Sequence, residues 1–301
     1  MAYNCVVCVK QVPDTKRITG DAMKEDGTVN RAALPAIFNP EDMNALEEAL
    51  KIKETYGGTV TVVTMGPPNA CEVLRESLFR GADDAVLITD RRAAASDTLA
   101  TSYILSCAVK KFNPDIVLCG RQAIDGDTAQ VGPQMAEKLG YTLITYLEEV
   151  KLDGKEITVR RNVGNGWEVV KGELPVLVTV MECNEPRPRA AKRMMKFKKA
   201  RSAFEVGVDV KKSMKDATDE QRRAETDKRI KALEDKGLLL KSWNLDDIEA
   251  DLQWCGMSGS PTKVHRIQSV VLAGGEYREF DASERGVAEL IGELIEEHTI
   301  G

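Results

Sequence analysis

The 301-residue chain is 43% apolar and 30% charged, the balance of an ordinary globular protein, and its length allows one large α/β domain with an appendage or two small domains. A formal net charge of −6 argues against a general nucleic-acid or membrane-surface binder. No run approaches the roughly 20 apolar residues of a membrane span. The start, Met1-Ala2-Tyr3-Asn4, lacks the basic-then-apolar order of a signal peptide, so a cytoplasmic or matrix-like location is expected.

Four short apolar runs rich in β-branched residues, 4–9, 59–65, 85–89 and 115–120, predict buried parallel strands. Helical patterns separate them. The clearest places Met43, Leu46, Ala49, Leu50 and Ile52 on one face, with Asn39 as the expected cap, Pro40 at the first helical position and Glu41 and Asp42 in the first turn. Strand and helix in alternation imply a doubly wound, mostly parallel, Rossmann-like sheet. The seven cysteines suggest no disulfide framework. Cys5-Val6-Val7-Cys8 fits C-x-x-C, but an extended chain turns residues three apart to opposite faces, so both thiols are read as buried structure.

After about Tyr141 the pattern changes to alternating segments at 147–152, 157–162, 167–171 and 176–181, which predict antiparallel strands continuing or flanking the sheet. They complete a first domain at 1–183. Residues 184–204 hold the cation-dense, proline-broken run from Arg187 to Lys199 and read as a surface segment. In 205–242, a helix-forming stretch at 211–236 carries few apolar positions, among them Met214, Ala217, Ala224, Ile230 and Leu233, and reads as a solvated helix. The remainder, 243–301, reads as an arm with a loop around Gly259 and Pro261, a short strand at 264–272 and a final helix at 283–298. Val287, Leu290, Ile291, Leu294 and Ile295 share one side of that helix.

Chemistry concentrates in Cys119-Gly120-Arg121-Gln122-Ala123-Ile124-Asp125-Gly126-Asp127-Thr128-Ala129-Gln130-Val131-Gly132-Pro133, which leaves a buried strand, makes a small-residue loop and enters a helix. Ligands of open α/β sheets bind outside such strand ends. Gly126 and Gly132 allow close backbone approach, Thr128 and Gln130 offer side-chain donors, and free N–H groups at the helix start suit a phosphate. Asp125 and Asp127 would repel a phosphate, so they accept hydrogen bonds either from sugar hydroxyls or from the loop's own N–H groups. Loops at 9–15 and 64–68 leave two further strand ends and could converge on the same crevice. No acid–base or nucleophile set is on display: His265 and His298 are the only histidines, and there is no G-x-G-x-x-G, phosphate-binding lysine loop or G-x-S-x-G. A binder or electron carrier is favoured over a hydrolase. The basic run has Phe197 as its one aromatic and sits in an acidic chain, which speaks against nucleic acid.

Five motifs occur here in the order found in electron transfer flavoprotein β subunits: Val9-Lys10-Gln11-Val12-Pro13-Asp14-Thr15, the run from Asn39-Pro40-Glu41-Asp42 to Ala49, the 120–132 loop, Asn184-Glu185-Pro186-Arg187, and Gly259-Ser260-Pro261-Thr262-Lys263-Val264. The chain resembles that family over nearly its whole length. The resemblance implies an adenine-nucleotide-binding α/β domain, an obligatory α-subunit partner, and an electron-transferring FAD held mainly by that partner; the C-terminal arm would pack on that partner or on the core. The β-subunit pocket is AMP in ordinary carriers and a second FAD in electron-bifurcating ones. By motif matching, the pocket comprises Cys8, Asn39, Pro40, Glu41, Asp42, Met65, Ala123, Ile124, Asp125, Gly126, Asp127, Thr128, Ala129, Gln130, Val131 and Gly132, with Asn39 more safely assigned as helix cap than as ligand contact.

Lys10-Gln11-Val12-Pro13-Asp14-Thr15 and Asp125-Gly126-Asp127-Thr128-Ala129-Gln130-Val131-Gly132-Pro133 resemble the bifurcating branch, which implies NADH as electron donor and ferredoxin or flavodoxin as low-potential acceptor. Many ordinary carriers offer a leucine to an acyl-CoA dehydrogenase in the loop after Arg187; the matching position here is Ala191, which offers less apolar area. An adenylating enzyme would need a glycine- or serine-rich loop after the first strand, and residues 10–15 contain neither. A nucleotide-sensing module without flavin is the third reading.

Overall fold

The structure, a computed structural model, describes residues 1–14, 34–181, 183–263 and 279–297. Strands β1 (Tyr3–Cys8), β4 (Gly58–Met65), β5 (Asp84–Ile88) and β6 (Ile116–Gly120) form where the apolar runs predict them. Two three-residue strands, β2 (Gln11–Pro13) and β3 (Ala36–Phe38), pair antiparallel just beyond the end of β1. Helices α1 (Pro40–Tyr56), α2 (Cys71–Arg80) and α3 (Thr98–Lys110) join the sheet strands, and α4 (Val131–Leu139) follows β6.

The chain steps outward from β1 through α1 to β4 and through α2 to β5, then returns through α3 so that β6 lies on the other side of β1. The connection reverses direction between β1 and β6, the crevice where open α/β sheets bind ligands. Side-chain alternation in β1 divides the core. Cys5, Val7 and Val9 pack with Leu46, Leu50 and Leu74 of α1 and α2, whereas Val6 and Cys8 pack with Ile104, Ala108 and Met135 of α3 and α4. Cys5 and Cys8 therefore face opposite layers, and all seven cysteines are free thiols.

Three later strands meander antiparallel in part, as expected: β7 (Thr142–Asp153), β8 (Glu156–Asn162) and β9 (Trp167–Glu173). The strand at the fourth alternating segment, β10 (Val176–Val180), departs from the expectation. It runs parallel between β6 and β7 inside the sheet, with all five residues buried. Its unbroken Val-Leu-Val-Thr-Val run suits a strand covered on both faces better than a half-exposed one. Beside it β7 shifts register between Val178 and Val180, where Tyr146 takes a left-handed φ of 61° and its N–H reaches Thr179 Oγ1 at 3.2 Å.

The basic segment is packed down rather than free. Arg187 forks onto Glu47 and Glu54 of α1, Arg189 pairs with Glu76 of α2, and the Arg193 guanidinium donates to the carbonyls of Leu78 and Ala82. A short helix, α5 (Ala191–Phe197), then buries Phe197, and Ala200 follows into the core. The charged stretch beyond is two helices, α6 (Ala203–Ser213) and α7 (Asp219–Glu234), each opened by a capping box. No residue of α7 is buried, the solvated helix the sequence predicts. The chain then returns to the sheet: β11 (Arg201–Ser202) and β12 (Leu239–Trp243) extend the β5 edge, giving the order β11-β12-β5-β4-β1-β6-β10-β7-β8-β9. Beyond β12, Leu245, Ile248 and Cys255 are buried against the α3 layer, and Trp243 stacks on Phe112 with centroids 5.2 Å apart. The strand expected at 264–272 lies outside the described residues. The last helix, α8 (Glu284–Glu296), leaves Val287, Leu290, Ile291 and Ile295 exposed. Among the described residues no helix is long and apolar enough to cross a membrane.

Candidate functional site

The carboxyl ends of β1, β4 and β6 bring three of the singled-out segments to one edge of the sheet. Cys8 ends β1 opposite Cys119 of β6, and Met65 ends β4 on the other side of β1. Burial pushes the Cys8 thiol up to about 12 and raises Cys119 well above its ordinary value, so both sulfurs are protonated packing groups there.

The loop after β6 is held by the start of α1. Asp42 Oδ1 accepts the Gly120 N–H at 2.9 Å and its Oδ2 accepts the Lys10 N–H at 2.8 Å, tying the ends of β6 and β1 together. Glu41 accepts the Gln122 N–H at 2.8 Å and pairs with Arg121 at 2.8 Å. Asn39 donates to the Gln122 carbonyl at 2.9 Å and accepts the Ile124 N–H at 3.2 Å. Asn39 is fully buried and makes no side-chain cap hydrogen bond, so the cap assignment gives way to this bridge. Pro40, whose fixed φ suits the first helical position, starts α1 without a cap. Burial pushes the Asp42 carboxyl up to about 7, against the pull of the N–H donors of Gly120 and Lys10, of Asn39 and of the Lys10 charge.

Gly120 is required by this packing. A Cβ there would lie 2.5 Å from Asp42 Oδ1 and 2.7 Å from the Asp42 nitrogen. Gly132 is likewise explained by helix–strand packing, since a Cβ would meet Cys119 Sγ and Thr179 Cγ2 at 2.9 Å; its small size lets α4 sit close on β6 and β10. Gly132 therefore has a packing reason to be glycine. Gly126 differs, because nothing in the fold lies within 4 Å of a Cβ there.

From Ala123 the loop turns outward. The N–H groups of Gly126 and Asp127 return to the Ala123 carbonyl at 3.3 and 3.0 Å, and Asp127 and Ala129 take left-handed φ values of 47° and 52°. Gly126, Asp127, Thr128 and Gln130 are exposed, and Val131 opens α4. Asp125 is paired with Lys10 Nζ at 2.7 Å and Asp127 accepts from Gln122 Nε2 at 3.3 Å. The two carboxylates thus have partners in the protein, which reduces the repulsion expected of them toward a phosphate. Gln130 caps α4 without a side-chain bond, and the first-turn N–H groups of α4 have no acceptor inside the helix.

Four buried polar atoms at this edge have no hydrogen-bond partner among the described residues: Gln11 Oε1, Thr64 Oγ1, Arg121 Nε and Gln134 Oε1. They follow or end β1, β4 and β6 and lie in the first turn of α4. Native folds satisfy such groups, so a polar occupant is called for. A helix N-terminus, small-residue loop and surrounding acceptors fit the sugar and phosphate of a nucleotide. A cavity of about 330 Å³ lies elsewhere, between α6 and α7 beside Lys211, Arg222 and Asp227. That cleft is lined by surface charges and lacks the strand ends, so we place the site at the sheet edge. Among the described residues no cluster of three or more His, Cys, Asp or Glu could hold a metal ion. The interlocking of Asn39, Glu41 and Asp42 with the loop was missed in the sequence; its one signal was a run of polar residues at a helix start whose other face is apolar.

The sequence profile of the electron transfer flavoprotein domain matches residues 26–206. The electron transfer flavoprotein subunit beta of Clostridium acetobutylicum is 42% identical over 299 residues, covering 99% of this chain and 100% of that protein. Subunit CarD of the caffeyl-CoA reductase-Etf complex of Acetobacterium woodii is 39% identical over 299 residues, covering 98% and 99%. Protein FixA of Sinorhizobium fredii is 37% identical over 301 residues, covering 96% and 91%.

Proposed function

This chain belongs to the β-subunit/FixA family of electron transfer flavoproteins, and from that premise we propose that it binds FAD at the carboxyl edge of its sheet and works in an electron-bifurcating heterodimer. Electron transfer is the role of the family, and its β subunits partner with an α subunit. The observation that carries the nucleotide reading is the cradle itself: a buried strand end, a small-residue loop and the α4 N-terminus, with unpartnered buried polar atoms along the same edge of the sheet.

The chain's own residues bind and orient. The N–H groups from Ala129 to Gly132 would hold the phosphate, Lys10 offsets the charge of Asp125, and Gln11 and Gln134 would supply further polar contacts. When bound, the flavin supplies the redox chemistry, accepting electrons from NADH and passing them on; the protein tunes it by placement and local charge. FAD is favoured over AMP by the wording of residues 125–133, and by the likeness to CarD, whose own name places it in a reductase–Etf complex. The exposed apolar face of α8, with Val287, Ile291 and Ile295, fits packing on an α-type subunit. For a flavin dehydrogenase or a ferredoxin or flavodoxin, the cation-rich face of α5 is the docking surface, with exposed Met195 supplying apolar area that Ala191 does not.

The test is to co-purify the heterodimer, release its nucleotides by denaturation and quantify them. Two FAD per heterodimer and direct bleaching of the flavin by NADH are expected. One FAD with one AMP and no reduction by NADH would make it an ordinary carrier. Adenine nucleotide without flavin would favour a sensing module.

A further inference from the structure

The backbone leaving β6 is paired by side chains where another strand would ordinarily pair it. Gly120, Gln122 and Ile124 are alternate residues, and their N–H groups go to Asp42 at 2.9 Å, Glu41 at 2.8 Å and Asn39 at 3.2 Å. Alternate amides on one side of an extended chain are the set that a neighbouring strand would accept. Asn39 completes the ladder by donating to the Gln122 carbonyl at 2.9 Å. All three side chains arrive from the start of one helix and are buried. Asp42 also holds the Lys10 N–H at 2.8 Å, so it sets the spacing between the ends of β1 and β6.

We propose that Asn39, Glu41 and Asp42 are positioning residues, a side-chain clamp that fixes the 120–124 backbone and through it aims the N–H groups of 129–132 at the nucleotide. This rests on the nucleotide reading above. The clamp acts through the loop, and its polar atoms are spent on backbone groups and on Arg121. Asp42 accepts at both oxygens from two different strand ends, which an amide cannot do, since one of its two atoms is a donor. Glu41 uses one oxygen for Gln122 N–H and the other for the half-exposed Arg121, so a glutamine there keeps the backbone bond and gives up the pairing with Arg121.

Protonation of Asp42 should also open the clamp, because one oxygen then carries a hydrogen facing an N–H. The groups facing it are Lys10 beyond β1, Asn39 and Glu41 at the start of α1, Arg121 beyond β6, and the thiols of Cys8 and Cys119. The thiols stay neutral, with Cys8 at about 12, and Asp42 at about 7 is the group that changes state near neutrality.

The test uses the co-purified heterodimer, following loss of bound adenine nucleotide during dialysis on both sides of pH 7, with the unfolding midpoint recorded in parallel. Wild type should release nucleotide faster as pH falls through about 7. Asp42→Asn should release it roughly 10-fold faster, the effect of about one unsatisfied buried donor, with a flat pH profile. Glu41→Gln should stay within about 3-fold of wild type while Glu41→Ala releases roughly 10-fold faster, a rescue by the conservative variant that tests the clamp even where Asp42→Asn fails to fold. Wild-type retention and pH profile in Asp42→Asn, or equal damage from Glu41→Gln and Glu41→Ala, would overturn the clamp alone. A wild-type heterodimer without adenine nucleotide would overturn the nucleotide reading, and the clamp's role with it.

Discussion

The loop at 120–132 and the segment at 184–200 are both fastened to helix α1, whose side chains accept backbone N–H groups of each, Gly120 and Gln122 in the loop and Asn184 and Arg187 in the segment, and the two differ in what their own side chains do. At the loop the scaffold supplies the side chains: Asn39, Glu41 and Asp42 capture backbone N–H groups, so the loop's own residues beyond Asp125 stay available to a ligand. At the segment the scaffold supplies carboxylates further along α1 and α2, and the segment spends its own cations on them, Arg187 on Glu47 and Glu54 and Arg189 on Glu76. A dense cationic run therefore does not equal a free cationic surface. Arg187 and Arg193 are anchors, while Lys192, Lys196, Lys198 and Lys199 are exposed and are the charges a partner could meet.

The largest effect expected from this difference is at glycine. Gly120→Ala drives a Cβ into the backbone of α1 and should cost about 3 kcal/mol or more, seen as a lowered urea midpoint together with loss of nucleotide. Gly126→Val meets open space, so nucleotide should fall while the urea midpoint stays within about 0.5 kcal/mol of wild type. Equal loss of stability in both would erase the distinction between scaffold and ligand-facing parts of the loop.

Next is Arg187→Ala, which leaves buried Glu47 without its fork and should cost about 1–3 kcal/mol while nucleotide content is unchanged. Lys192→Glu should leave stability alone, slow electron delivery to a redox partner and blunt its salt dependence. If Lys192→Glu unfolds the segment and Arg187→Ala only slows transfer, the anchor and surface roles are reversed.

Much of this was legible in the sequence. The β1, β4, β5 and β6 runs and the apolar face of α1 carry their periodicities locally. The burial of Glu41, Asp42, Asn44, Glu47 and Glu48 on that same helix is not local. Their partners lie about 80 to 140 residues away in sequence, at Gly120, Gln122, Asn184 and Arg187, so a helical wheel shows them only as a polar face. β12 was hidden for a similar reason: Leu239 and Leu240 open a short run after a charged helix, and pairing with β11, then of Lys241, Ser242 and Trp243 with β5, makes the run sheet. The left-handed turns at Asp127 and Ala129 have no signature in those residue types, of which only aspartate tolerates that region with any ease.

A smaller effect is expected from pH. The Asp42 carboxyl titrates at about 7 in the fold and near the ordinary 3.8 when unfolded, so between these values the folded state holds the extra proton. Its contribution to the stability of the nucleotide-stripped heterodimer is fully present below the unfolded value and declines as pH rises toward about 7. Urea midpoints across that window should fall more steeply in wild type than in Asp42→Asn; parallel slopes would remove Asp42 as the titrating group. The smallest effect is that of Lys10→Ala. The exposed pair with Asp125 should be worth under about 1 kcal/mol of stability, and its loss should weaken nucleotide binding a few-fold at low salt and less at high salt.

Residue-resolved amide hydrogen exchange on the heterodimer, with nucleotide bound and stripped, tests most directly whether one stretch of chain is half scaffold and half ligand site. Gly120, Gln122 and Ile124 should be protected in both states, because side chains of α1 hold them, and the amides from Ala129 to Gly132 should gain protection only with nucleotide present. Free exchange at Gly120, Gln122 and Ile124, or protection of 129–132 that nucleotide does not change, would contradict the assignment.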